Sequence, residues 1–137
     1  MAEPSEPKIA ALLVANDAFK DDRGRVHVHG VFDTIAAPQF PLNINFTIFV
    51  SFKGSKSGTY QAMVQLQDSL NNPVVKTEPM IFDVSEFKGH NLFVNVTARF
   101  PAPQLYKIKL FVDGIERLEM PLMVRHVEAP PPKPPKT

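Results

Sequence analysis

The stretch Leu42-Asn-Ile-Asn-Phe-Thr-Ile-Phe-Val-Ser-Phe52 decides the fold. Its even positions are all large and apolar: Leu42, Ile44, Phe46, Ile48, Val50 and Phe52. Its odd positions are Asn43, Asn45, Thr47, Phe49 and Ser51. Side chains on a strand point alternately to opposite faces. One face of this segment is therefore wholly apolar and the other mostly polar, whereas helical spacing would scatter the same residues around a cylinder. The pattern predicts a β-strand. A large apolar side chain contributes about 1.5–3 kcal/mol only when it is fully covered, so this strand belongs in the middle of a sandwich.

Further segments carry the same period. In Thr59–Asp68 the inward set is Tyr60, Ala62, Val64 and Leu66; in Asn91–Phe100 it is Leu92, Val94, Val96, Ala98 and Phe100; in Leu105–Asp113 it is Tyr106, Ile108, Leu110 and Val112. Asp113-Gly114 is a type I′ hairpin signal, after which Ile115–Val124 returns with Pro121 at an edge or bulge position. Val74–Thr77 and Met80–Val84 are short pieces, the first bounded by Pro73 and Pro79. Near the start, Ile9–Val14 is apolar on both faces, which a short buried helix would also fit; the turn and partner that follow favour a strand, stopped by Asn16 and Asp17. Lys20–Arg25 forms a turn at Gly24, and Val26–Ile35 is the returning partner, with Gly30 marking a bulge or a close backbone approach. Ala36–Pro41, with Pro38 and Pro41, crosses between sheets.

These elements predict an all-β, immunoglobulin-like antiparallel β-sandwich of about 7–8 strands with an extra N-terminal hairpin. Leu42–Phe52 and Asn91–Phe100 share one sheet; Thr59–Asp68, Leu105–Asp113 and Ile115–Val124 share the other. Tyr106 stands where a tyrosine corner would place its hydroxyl against the backbone, and a plain core tyrosine with its hydroxyl at the rim fits equally. The expected organisation is a disordered arm over residues 1–7, a sandwich over 8–126 and a Pro-rich disordered tail over 127–137.

The composition agrees with one soluble domain. The chain has 137 residues, 44% hydrophobic and 21% charged, ordinary values for a single packed core. Fifteen basic and 14 acidic residues leave a formal charge of +1, without the basic run of a nucleic-acid binder. Cysteine is absent, which removes disulfides, thiolate metal sites and thiol nucleophiles. The acidic, proline-containing start lacks the basic and apolar regions of a secretory signal, and no apolar run reaches membrane-spanning length. The expectation is a cytoplasmic protein without a nucleic-acid or membrane partner.

The N-terminal third is similar to a known family. Ala11-Leu-Leu-Val-Ala-Asn-Asp-Ala-Phe19, a Gly-containing turn, and Val28-His-Gly-Val-Phe-Asp-Thr-Ile-Ala-Ala-Pro-Gln-Phe-Pro41 resemble an uncharacterised bacterial family catalogued only as a domain of unknown function. Gly30–Ile35 with Ala37-Pro38 and Phe40-Pro41 is the most specific part. Tyr106–Gly114 with Pro121–Val124 is also similar. The resemblance implies a small all-β protein and no activity, so it assigns no functional residue.

Candidate sites are few. His27, His29 and Asp33 form a His-x-His-x-x-x-Asp set whose histidines share a strand face and could reach one metal. Cupin-type barrels use a similar His-x-His and carboxylate, but the flanking glycines differ here, and only His90 and His126 remain as further ligands. Phe49 and Phe93 break the polar rule on outward faces, as cross-strand neighbours if their strands pair. Such an apolar spot is either covered by the N-terminal hairpin or used in self-association or a partner contact. Phe111 is a third outward ring, on the other sheet. Pro131–Lys136 fits a polyproline II ligand, and equally a solubilising end. Asn45-Phe-Thr47 and Asn95-Val-Thr97 match glycosylation acceptors, or simply polar strand faces. No phosphate loop or nucleophile elbow is present. The sequence thus points to a non-enzymatic interaction or accessory module without a cofactor. The alternatives are a metal- or ligand-binding β protein using His27, His29 and Asp33, and a structural subunit of a larger assembly.

Overall fold

The computed structural model describes residues 7–53 and 57–128. The expected arm up to residue 6, part of the loop after Phe52 and the tail from residue 129 lie outside the described residues. Pro7 is not part of a free arm: it is buried, and its carbonyl accepts a hydrogen bond from Arg117 Nη2 at 3.2 Å.

Ten strands run in the order β1 (Lys8–Lys20), β2 (Val26–Val31), β3 (Thr34–Ala37), β4 (Leu42–Lys53), β5 (Gly58–Gln67), β6 (Pro73–Lys76), β7 (Met80–Val84), β8 (His90–Phe100), β9 (Gln104–Val112) and β10 (Ile115–His126). They form a two-sheet sandwich. The first sheet has the order β2-β1-β4-β8; the second has β3-β10-β9-β5, with β6 and β7 dividing the far side of β5. Alternation put the core in place: Phe46, Ile48, Val50 and Phe52 of β4 and the inward sets of β5, β8 and β9 are all buried, with Leu42 and Ile44 packed against them from the strand's start.

Tyr106 is fully buried, and its hydroxyl donates to the Ala102 carbonyl at 2.8 Å across the corner before β9. Its ring meets Phe100 edge-on at 4.8 Å. The corner arrangement, rather than a free rim hydroxyl, is the one formed. Asp113 and Gly114 both have positive φ, 51° and 80°, the type I′ geometry that joins β9 to β10. Pro121 faces Lys107 of β9, and β3 bonds β10 only from Met123 onward. The ring therefore sits where the second side of β10 has no ladder partner. The bulge of β10 lies earlier, between Glu116 and Leu118.

Two expectations are corrected at the N-terminus. β1 does not stop at Asn16: it changes partner, pairing β4 up to Ala15↔Thr47 and continuing to Lys20 against β2. The hairpin is therefore built into the first sheet, and it is β1 that makes β4 an interior strand. Nor is Val26–Ile35 one strand. Phe32 N donates to Val14 O at 2.9 Å, the last bond to β1, and Asp33 O accepts from Met123 N at 3.0 Å, the first to β10. The chain changes sheet between these two residues, so β3 pairs in parallel with β10. The expected crossing at Ala36–Pro41 is the second one, returning the chain from β3 to β4.

Candidate interaction surface

The outer face of the first sheet carries the unusual chemistry. Pairing places Leu13 beside Phe49 and Phe49 beside Phe93, an apolar row across β1, β4 and β8. Ala15, Thr47 and Asn95 form the row on one side; Ala11, Ser51 and Asn91 form the row on the other. Phe49 and Phe93 stand 5.4 Å apart, ring to ring. Phe49 is only 7% exposed although it faces away from the core. Flanking side chains on both neighbouring strands enclose it, while Leu13 and Phe93 remain half-buried. The N-terminal hairpin does not roof this row, because β1 lies beside β4 in the same sheet.

Polar bonds line one side of the row. Thr47 Oγ1 donates to Asn95 Oδ1 at 2.9 Å, and Thr97 Oγ1 donates to Asn45 Oδ1 at 2.8 Å. The two Asn-x-Thr tripeptides run antiparallel and bond each other crosswise, so these amides and hydroxyls have strand-face partners.

The same outer face continues onto the β1–β2 ribbon. Phe19 lies opposite His27 in the ladder. The two rings stack at 4.9 Å, and His29 meets Phe19 edge-on at 5.4 Å. His27 Nε2 is 2.8 Å from Asp21 Oδ2. Asp21 Oδ1 also accepts from the backbone N–H groups of Arg23 and Arg25, each at 2.9 Å. The hydrogen bond from His27, then that from the Arg25 backbone, hold the Asp21 carboxyl below its ordinary pKa.

The structure therefore brings His27 and His29 together, 6.3 Å between ring centres, but not Asp33. That residue lies in the connection where the chain leaves β2, with its carboxylate accepting from Thr34 Oγ1 at 3.2 Å. A third ligand at position 33 needed the strand to run on, and it turns away. Among the described residues no group of three or more His, Asp or Glu side chains could hold a metal ion. His90 stacks on Phe82 at 5.3 Å, and burial lowers its pKa. His126 Nε2 contacts Pro38 O at 3.1 Å. Neither joins the pair. Where the ribbon parts from β4, a cleft of about 330 Å³ opens between Asn16, Val31, Phe32, Thr34 and Ile44.

Two features escaped the sequence reading. Leu13 and Phe19 complete the outer surface, and only the ladder register shows it. Asp21-Asp-Arg-Gly24-Arg25 and Asp68-Ser-Leu-Asn71-Asn72 are also the same turn. In each, the aspartate's Oδ1 accepts from the third and fifth residues' N–H groups. In each, the fourth residue has positive φ, 80° at Gly24 and 67° at Asn71. The shared signal is Asp followed three residues later by Gly or Asn, the residues that tolerate the left-handed region.

Fold and surface together define a two-sheet all-β sandwich with an apolar row across the outer face of its four-stranded sheet. Residues 10–125 match DUF6941, a family of unknown function, and the chain belongs to that family. No protein with a curated description matches the sequence. Among solved structures, the chain is similar to the Pseudomonas fluorescens alkylpurine DNA glycosylase AlkC, bound to DNA containing an abasic site analog, with a TM-score of 0.56 and 12% identity, over 88% of this chain and 31% of that one. It is also similar to a β-D-mannosidase from Dictyoglomus thermophilum, with a TM-score of 0.54 and 13% identity, over 86% of this chain and 13% of the enzyme. A Pyrococcus furiosus CARDB domain, solved with di-metal ions, matches at a TM-score of 0.48 and 12% identity over 92% of this chain and 100% of that domain. The chain thus spans under a third of the two larger proteins, and at these identities the likeness is one of fold.

Proposed function

We propose that the chain is a non-enzymatic, immunoglobulin-like interaction module of the cytoplasm that binds a protein partner through the outer face of its four-stranded sheet. The observation that carries this is the Leu13–Phe49–Phe93 row, above which the described residues place no further layer. An apolar strip with a polar rim is what a protein contact needs at its centre. The central ring is already held in place by its neighbours, so docking immobilises little further side-chain freedom. Phe19, stacked on His27, extends the same face with a second aromatic anchor.

The test is affinity capture from the native host with the intact chain, compared with Leu13→Lys and Phe93→Lys variants. Both positions are half-buried, so the fold survives. Met123→Lys on the second sheet is the control. The reading requires a captured protein that both first-sheet variants lose and the control keeps. Retention by all three variants refutes the assignment of the face.

A further inference from the structure

Sheet edges expose unpaired backbone groups that invite another strand, and proteins normally blunt them. Three of the borders here are blunted. β2 has 6 residues and contains Gly30 at φ 71°. β3 has 4 residues and runs into Pro38. β6 and β7 have 4 and 5 residues; Pro73 opens the first and Pro79 immediately precedes the second. β8 is different. It runs for 11 residues in unbroken register with β4, without glycine or proline, and Arg99 is its only Lys, Arg, Asp or Glu. Half of its N–H and C=O groups point away from β4. Among the described residues no backbone hydrogen bond from another element reaches them. β6 and β7 both come within 8 Å of β8, Cα to Cα, but each bonds to β5 in the other sheet.

We propose that β8 pairs antiparallel with β8 of a second copy of this chain, about a twofold axis at Asn95, joining the two four-stranded sheets into one. The strand is self-complementary in that register. On the outer face Asn91 meets the partner's Arg99, Phe93 meets the partner's Thr97, and the two Asn95 amides face each other. On the inner face Leu92 meets the partner's Ala98 and Val94 meets the partner's Val96. Every residue of the strand finds a counterpart, Phe93 and Leu92 meet the smaller Thr97 and Ala98, and no two like charges oppose. The Pro-rich stretch 129–137 is a poor alternative: Pro130, Pro131, Pro132, Pro134 and Pro135 have no N–H to donate. The contact runs along the strand's edge and shares only Phe93 with the face proposed above, leaving Leu13 and Phe49 to a different partner.

Sedimentation equilibrium of the full chain tests this, with circular dichroism confirming that each variant stays folded. The wild type should show twice the 15.3 kDa chain mass at concentrations above about 10 µM. Asn95→Lys and Asn95→Asp each set two like charges face to face at the axis. Each should weaken dimerisation about tenfold or more, and an equimolar mixture of the two should restore it. Asn95 is exposed, so both variants keep their core. A wild type that is monomeric throughout overturns the proposal. So does a dimer that both single variants retain, or a mixture that fails to recover it. A dimer lost in Leu13→Lys but kept in Asn95→Lys assigns association to the face and overturns the edge.

Discussion

Replacing Phe49 and Phe93, singly and together, tests whether neighbours within the sheet hold the outward ring. Phe49 is 7% exposed, as sheltered as many core residues, yet its shelter comes from Leu13 and Phe93 at its sides. Removing a phenyl ring from a closed core costs about 3–5 kcal/mol, because the cavity stays empty. The space left by Phe49→Ala opens to solvent and can fill, so we expect about 2 kcal/mol, near the transfer cost of the ring alone. Phe93→Ala, at a half-buried position, should cost about 1 kcal/mol. The rings lie 5.4 Å apart, within the range where aromatic pairs gain about 0.5–1.5 kcal/mol beyond their buried area. The double variant should therefore lose less than the sum of the singles by that amount. Phe52→Ala is the reference: its ring is fully buried and stacks on Phe82 at 4.4 Å, so it should cost about 3–5 kcal/mol. The assay is urea unfolding followed by far-ultraviolet circular dichroism, since the chain has no tryptophan, at concentrations below any self-association. A coupling within about 0.3 kcal/mol of zero refutes the row as a unit. A Phe49→Ala cost equal to that of Phe52→Ala refutes the open face.

Tyr106→Phe should cost about 1 kcal/mol for the lost bond to Ala102 O, against about 3–5 kcal/mol for Tyr106→Ala, which empties the core. Burial raises the Tyr106 pKa in the folded protein, so its contribution is complete below the unfolded value and is lost as the pH climbs through the folded one. Alkaline titration of stability should therefore show a fall in the wild type that is smaller in Tyr106→Phe. The two aspartate turns behave oppositely. Backbone N–H bonds at Asp68 and the His27 bond at Asp21 lower both carboxyl pKa values. Their contribution is complete above the unfolded carboxylate value and is lost as the pH falls through the folded one. Asp68→Ala should lower Tm at neutral pH, and the difference from wild type should vanish in acid. A constant difference across the titration counts against the turn geometry.

The strand interiors were legible because their signal is local. Side chains two apart share a face wherever the strand goes, so Phe46 through Phe52 and Tyr106 through Val112 declare their inward sides without knowledge of a partner. The Asp113-Gly114 turn was legible for the same reason, closing within a few residues. A tyrosine corner and a plain core tyrosine fitted Tyr106 equally, and only the structure places its hydroxyl against Ala102 O. The change of sheet also left a local trace. Val26, Val28 and Phe32 lie on even positions, whereas the buried Ile35 and Ala37 are odd. That shift of parity marks the break between Phe32 and Asp33. A trio of His27, His29 and Asp33 requires one unbroken strand across it.

The sequence by itself determined a two-layer all-β architecture, the inward side of each long strand and the oddity of Phe49 and Phe93. Only the tertiary structure decided who lies beside whom: β1 between β2 and β4, β3 on the far sheet, and Leu13 completing the row. Ladder partners are chosen by contacts between residues as distant in the chain as Phe49 and Phe93, and by which edges remain when the core has closed. A strand's alternation records which way its side chains face, but it carries no mark of its neighbour.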